Sequence, residues 1–284
     1  MVEAIGECSE AIAGYGFEEG VQNPFSEKVD AVVKNKDVAD KLFFKLSQLD
    51  LVHFEKKLGN GAFGSVFQVD GKGAFSGKKV AVKLFSFSES NTVATHGYEG
   101  EALALSLPQN CHLGRPFGVL TYDGKSVHYV EKYDPQVHGK QVLIGTVSHA
   151  IKGCTLHDKM KERTFSVEEV RGYGKQLAEA ILGLHQFGFA HKDIHAENIL
   201  LKDAAPEKPP YRLKVIDFSL MNDASAKRIR NDWKKFAYLI SEMGGEELIF
   251  DTHFYDLIYS EKHGLLNGHQ PYSEKEVLSH PFFK

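Results

Sequence analysis

The run His191-Lys192-Asp193-Ile194-His195-Ala196-Glu197-Asn198, followed after a hydrophobic strand by Asp217-Phe218-Ser219, constrains this chain more than any other feature. In that order it supplies a proton acceptor at Asp193, a metal ligand at Asn198 and a second carboxylate ligand at Asp217. Phosphoryl transfer from a nucleotide needs those groups at that spacing, because it is driven by positioning and charge neutralisation. His, Asp and Asn are also common in turns, so the run gains its weight from its company.

Upstream, Gly59-Asn60-Gly61-Ala62-Phe63-Gly64-Ser65-Val66 fits a glycine-rich strand-turn-strand. Without Cβ atoms, its backbone amides can approach phosphates closely, with Phe63 at the tip as a cover. An ordinary hairpin would read the same way. The next strand, Val80-Ala81-Val82-Lys83-Leu84, sets a single Lys among apolar neighbours. An unpaired ammonium there is costly to desolvate and calls for an anionic partner. The segment Tyr98 to Leu107 offers Glu99 and Glu101 as that partner. Ser166-Val167-Glu168-Glu169-Val170 opens a helix with an N-cap serine and early acidic residues, continued by Tyr173, Leu177, Ala180, Ile181, Leu184 and His185 at helical spacing.

These segments, in this order, resemble the protein kinases. The run at 191–198 resembles their catalytic loop, Asp217-Phe218-Ser219 their metal loop, and Ile151-Lys152-Gly153-Cys154-Thr155-Leu156-His157-Asp158 their hinge exit. Asp232-Trp233-Lys234-Lys235-Phe236-Ala237-Tyr238-Leu239-Ile240-Ser241-Glu242-Met243 is similar to the central helix of their larger lobe, and Glu276 to Phe283 to their final segment. The likeness runs from about Phe54 to Phe283. It implies an α+β, two-lobed fold: a small β-rich lobe through the hinge over 51–151 and a mainly helical lobe over 152–284. Ahead of it, Val29, Val32, Val33, Ala39, Leu42, Phe43 and Leu46 recur with helical period and predict an N-terminal helical extension over 1–50.

The resemblance also implies roles. Asp193 would accept the hydroxyl proton, Lys83 paired with Glu101 would position ATP phosphates, and Asn198 and Asp217 would hold Mg2+. Gly59, Gly61, Phe63, Gly64, Val66, Ala81, Lys83, His149, Ile151 and Leu200 would line the nucleotide site. His149 and Ile151 would do so through backbone groups at the adenine edge, with Ser148 guarding the back.

Three departures matter. His195 stands two residues after Asp193, where protein-serine/threonine kinases usually carry a Lys that helps neutralise the transferring phosphate; a His does so fully only when protonated. Ser219 replaces a glycine after Phe218, which restricts the metal loop. Only residues 218 to 231, 14 positions, separate Asp217 from Asp232, with no Ala-Pro-Glu among them, and Gln270-Pro271 stands where an Arg-Pro is expected. Losing both partners of that buried pair is coherent, since losing one strands a charge. The interval is too short for a phosphorylated loop docking on arginines, so activity is expected to be constitutive or set by a protein partner at this surface. Its available hydroxyl, Ser225, lies beside Lys227, Arg228 and Arg230 in what reads as a solvated turn.

Composition excludes several alternatives. With 34 basic against 38 acidic side chains the net charge is -4, which implies no nucleic-acid partner. Cys8, Cys111 and Cys154 are scattered and odd in number, which argues against a disulfide framework. His191 and His195, four apart, suit a zinc site on a helix, but Asp193 and Asn198 place them in a loop. Met1 to Gly16 lacks a basic stretch leading into an apolar run, and no apolar segment is long enough to span a bilayer. The expected location is the cytoplasm, the protein's own or that of a host into which it is delivered.

Two classes of function follow. One is a compact kinase using ATP and Mg2+, with a protein serine or threonine as acceptor, or a small molecule as in the aminoglycoside and choline kinases. The other is a pseudokinase, a nucleotide-gated binding scaffold supported by His195, Ser219 and the missing peptide platform.

Overall fold

The computed structural model describes residues 52–61, 64–71, 77–85, 100–108, 110–123, 127–131, 142–202, 212–268 and 272–284. The extension expected over 1–50, Ala62 and Phe63, Glu99, the proline-rich loop after Lys202 and Gln270-Pro271 lie outside the described residues.

The small lobe is an antiparallel six-stranded sheet, formed by β1 (Val52–Gly61), β2 (Gly64–Gly71), β3 (Lys79–Phe85), β4 (Gly118–Tyr122), β5 (Val127–Val130) and β6 (Val142–His149) in the order β1-β2-β3-β6-β4-β5. Alternation decides its two faces. On β3, Val80 and Val82 are buried with Val69, Leu120, Ile144 and Val147 in one apolar cluster. Ala81 and Lys83 therefore point to the opposite face. Strands β4 and β5 pair antiparallel, the hairpin that the Asp123-Gly124 signal predicts, although Gly124 itself lies outside the described residues.

The larger lobe is mainly helical. Strand β7 (Gly153–Thr155) leads into α1 (Leu156–Glu162), and α2 (Val167–Gln186) follows. A capping box starts α2: the Ser166 hydroxyl accepts from Glu169 N–H, and the Glu169 carboxylate accepts from Ser166 N–H at 2.9 Å. Leu177, Ile181 and Leu184 recur on its buried face, each worth about 1.5–3 kcal/mol of burial. Next come β8 (Phe189–Ala190), β9 (Ile199–Lys202), β10 (Leu213–Val215) and β11 (Asn222–Asp223), then α3 (Ala226–Gly244), α4 (Thr252–Tyr259) and α5 (Glu274–Ser279). A core built largely on α2 and α3 takes in Trp233, Phe236, Ile240, Phe254 and Phe282.

One expectation needs correction. The central helix, read from Asp232, begins at Ala226, nearly two turns earlier. Ser225 is its N-cap, its exposed hydroxyl accepting from Arg228 N–H at 3.4 Å, so this hydroxyl starts a helix.

Candidate active site

Strand register builds the roof of the site. Val66 on β2, Lys83 on β3 and Thr146 on β6 are direct neighbours, and Gln68, Ala81 and Ser148 form the next row on the same face. Gly59 pairs with Val66, and Gly61 with Gly64 across the turn. The two glycines flanking the turn differ in kind. Gly64 has φ +150, and a Cβ there would lie 2.0 Å from the Leu84 carbonyl oxygen, so the fold itself requires it. A Cβ at Gly59 would meet nothing within 4 Å, so the fold leaves the space beside it open.

At the far end of β6, Ala150 N–H donates to the Lys79 carbonyl at 3.1 Å. By the alternation of an antiparallel ladder, the His149 peptide groups then turn away from β3. Below, Ile199 and Leu201 are buried in the larger lobe, and Leu200 between them faces the other way, half-buried.

Lys83 is the hub. Its ammonium donates to Glu101 Oε1 at 2.7 Å, Asp217 Oδ1 at 2.6 Å and the Ser219 hydroxyl at 2.7 Å. Glu101 reaches it from a helical turn over 100–103 that runs into a 3-10 turn at Ala104–Ser106. Burial works against the Lys83 charge, but Glu101 and Asp217 outweigh it and raise its pKa. Burial likewise pushes the Glu101 carboxyl up, against the pull of Lys83. Asp217 goes the other way: burial is overcome by the Lys83 ammonium and by hydrogen bonds from Lys83 and Ser219, which hold it down at about 2. Asp217 is thus a fixed anion, in the left-handed conformation with φ 62. Such a conformation costs a non-glycine residue about 1–3 kcal/mol and persists where surroundings enforce it.

The catalytic-loop candidates are gathered on a buried carboxylate. Asp232, fully buried on α3, accepts from His191 N–H at 2.8 Å, Lys192 N–H at 2.8 Å and His185 Nε2 at 3.1 Å. Lys192, the residue these bonds straddle, has φ 69. His191 is buried, packs its ring 5.5 Å from that of Phe218 and lies 3.2 Å from the Ile216 carbonyl through Nε2. Burial lowers its pKa despite the nearby carboxylates, so it is a neutral structural ring.

Asp193 sits at the mouth of the loop. Asn198 Nδ2 donates to its carbonyl at 3.0 Å and its Oδ2 at 3.1 Å, and His195 Nε2 is 3.3 Å from the same oxygen. Asn198 and Asp217 emerge together at one end of the β9–β10 hairpin, where Ile216 N–H donates to the Asn198 carbonyl at 2.9 Å.

The segment from Asp217 to α3 is short and tied down along its length. Met221 N–H closes a turn on the Phe218 carbonyl at 2.9 Å, β11 pairs with β8, and Ala224 and Ser225 alone separate β11 from α3.

The donor set suits a hard cation. Magnesium is usually held by one or two carboxylates completed by phosphate oxygens and water, and Asp217, charged and partly exposed, fits that pattern, with Asn198 at the same end of the β9–β10 hairpin. No group of three or more His, Cys, Asp or Glu side chains converges on one point among the described residues. Neither Cys111 nor Cys154 is in a disulfide.

Three features were not assigned from the sequence. The Ser219 hydroxyl, besides accepting from Lys83, lies 3.3 Å from Glu101 Oε1, which ties the metal loop to the lysine and its partner. Gly100 lets that partner's helix approach: a Cβ there would lie 2.2 Å from the Phe218 carbonyl oxygen. A glycine between Glu99 and Glu101 in a helical stretch is the signal that marks it. Lys235 on α3 reaches the loop, its Nζ 3.5 Å from Asp193 Oδ1.

Comparison with known proteins agrees with this arrangement. The model of the protein kinase domain family matches residues 52–239. Human ribosomal protein S6 kinase alpha-2 is 29% identical over 201 residues, covering 69% of this chain and 24% of that protein. Mouse calcium/calmodulin-dependent protein kinase type IV is 28% identical over 172 residues, covering 60% of this chain and 31% of that protein. Homeodomain-interacting protein kinase 2 of Mesocricetus auratus is 38% identical over 73 residues, 25% of this chain and 6% of that protein. The chain spans less than a third of the length of each of these relatives. A sheet-rich lobe over a helical one, with this cluster between them, defines a kinase-like fold. The chain belongs to the protein kinase domain family.

Proposed function

We propose that the chain is an ATP-dependent protein kinase that transfers the γ-phosphate of ATP to a serine or threonine hydroxyl of a protein. The observation that carries this reading is the Lys83 hub: one buried ammonium bonded to Glu101 and Asp217, on the face that Gly59 leaves open. A scaffold has no chemical need for a charged lysine aimed at a charged metal-ligand candidate.

In this reading Lys83, oriented by Glu101, binds the α and β phosphates, and the amides of the Gly59–Gly64 turn cradle them. Ala81, Val66, His149, Ile151 and Leu200 enclose the base. Asn198 and Asp217 hold Mg2+, which when bound neutralises phosphate charge. Asp193 orients the acceptor hydroxyl and takes its proton. The names of the relatives are those of protein kinases, which favours a protein acceptor over a small molecule.

A nucleotide-gated scaffold is the second reading, favoured by the two-residue link between β11 and α3, which leaves no platform for an extended peptide. The same shortness leaves a surface for a regulatory protein partner. Among the described residues no helix is long and apolar enough to cross a membrane; a cytoplasmic site of action, native or host, remains part of the proposal.

Incubating the purified chain with γ-labelled ATP, Mg2+ and cell lysate tests the choice. Label on protein supports the kinase reading, label on a metabolite moves the acceptor to a small molecule, and label on nothing leaves the scaffold.

A further inference from the structure

Position 195 lacks the cation expected two residues after Asp193, and the structure shows what stands near that carboxylate instead. The His195 ring nitrogen Nε2 lies 2.9 Å from Asn198 Nδ2 and 3.3 Å from Asp193 Oδ2, on the side of Oδ2. The other carboxylate oxygen, Oδ1, faces α3, where the ammonium of Lys235 stands at 3.5 Å.

Lys235 is held in place rather than waving in solvent. It also donates to the Lys192 carbonyl. Asp232, one turn earlier on the same face of α3, accepts from the Lys192 N–H. One helix therefore grips both polar groups of a single residue, with a carboxylate on its N–H and an ammonium on its C=O. That residue is the one held at φ 69, immediately before Asp193. The Lys235 side chain remains 34% exposed and Asp193 28% exposed, so both open to the cleft. An ammonium has three donors. One goes to Lys192, one faces Asp193, and the third is available to an incoming oxygen.

We infer that Lys235 is a positioning residue for Asp193, and that it supplies from α3 the permanent positive charge that a lysine at 195 would have brought. The inference rests on the kinase reading above. The charge sits on the acceptor side of Asp193, where it fixes the carboxylate and offsets negative charge brought by the phosphate.

Relocating the charge tests it. Initial rates of γ-phosphate transfer to lysate proteins, with ATP and Mg2+ varied, are compared for wild type, Lys235→Met, His195→Lys and the double variant. Lys235→Met should lower kcat about tenfold or more while the KM for ATP moves less than twofold. His195→Lys should raise the rate at least fivefold more in the Lys235→Met background than in wild type, because only there is the charge missing; neighbouring groups with a shared task are non-additive in this way. A merely structural lysine gives a different result: a lysine at 195 cannot hold the Lys192 carbonyl from α3, so the loss would persist, and that outcome overturns the proposal. If Lys235→Met fails to fold by its thermal transition, Lys235→Gln takes its place, keeping a donor for the carbonyl without the charge. Equal rates for Lys235→Gln and wild type overturn the proposal as well. Wild type inactive on every acceptor defeats the kinase reading and this inference with it, whereas an active wild type without rescue defeats the inference alone.

Discussion

Replacing Asp232 should damage both stability and the loop that carries Asp193. Its carboxylate is fully buried and accepts from two main-chain N–H groups at 2.8 Å and from His185 at 3.1 Å. Asp232→Ala removes both acceptor oxygens and leaves the His191 and Lys192 N–H groups and the His185 ring without them. A buried donor left unsatisfied costs about 1–3 kcal/mol, and breaking a buried charged pair about 3–5 kcal/mol. These overlap, so the expected loss is about 3–5 kcal/mol. Asp232→Asn keeps one oxygen and should lose about 1–3 kcal/mol. Urea titration followed by circular dichroism reads the loss as a shift of midpoint at constant slope. Lys192 would also be released from its φ of 69, so transfer should fall at temperatures where the variant is still folded. An Asp232→Ala protein within about 1 kcal/mol of wild type would refute the reasoning, because the donors would then have found other partners.

Two further outcomes concern pH. Asp217 has a folded pKa of about 2, below its ordinary value, because Lys83 and Ser219 overcome the effect of burial. Its stabilisation is therefore fully present above roughly pH 4 and lost as pH falls through about 2, an effect of about 2 kcal/mol. Asp217→Asn should flatten the acid limb of the thermal stability curve and abolish the Mg-ATP-dependent rise in Tm; an unchanged acid limb contradicts the assignment. His185 is opposite in sign: burial lowers its pKa, but Asp232 and Glu274 outweigh that and raise it. Its contribution is full below about pH 6.5 and disappears as pH rises through the raised folded value. His185→Gln should remove that slope from scans between pH 6 and 9, and an identical slope in the variant would count against the His185–Asp232–Glu274 network.

What could be read from the sequence was whatever rests on local chemistry. The capping box of Ser166 and Glu169, the hairpin at Asp123-Gly124 and the alternation that turns Lys83 away from Val80 and Val82 all follow from neighbours in the chain. The need of Lys83 for an anion also follows, because the cost of an unpaired buried charge does not depend on knowing the fold. The start of α3 was misplaced because the likeness to known kinases drew attention to Asp232, while the plain signal of a capping serine at 225 was read as part of a turn.

Other features depend on contacts between distant segments. Ser219 is visible as a departure from glycine, but its bonds to Lys83 and Glu101 span 136 and 118 residues. Lys235 looks like one of two adjacent lysines on a helix, and its partner carbonyl lies 43 residues away. No periodicity encodes such meetings.

The most direct test of the central claim is a paired measurement on wild type and Asp193→Asn: transfer of γ-labelled phosphate to protein, and the Mg-ATP-induced rise in Tm. Asp193 is assigned to the acceptor hydroxyl and Asp217 with Asn198 to the metal and nucleotide, so the account predicts that Asp193→Asn loses transfer while keeping the wild-type Tm shift. Full transfer activity in Asp193→Asn, or no Tm shift in wild type at millimolar nucleotide, would contradict it.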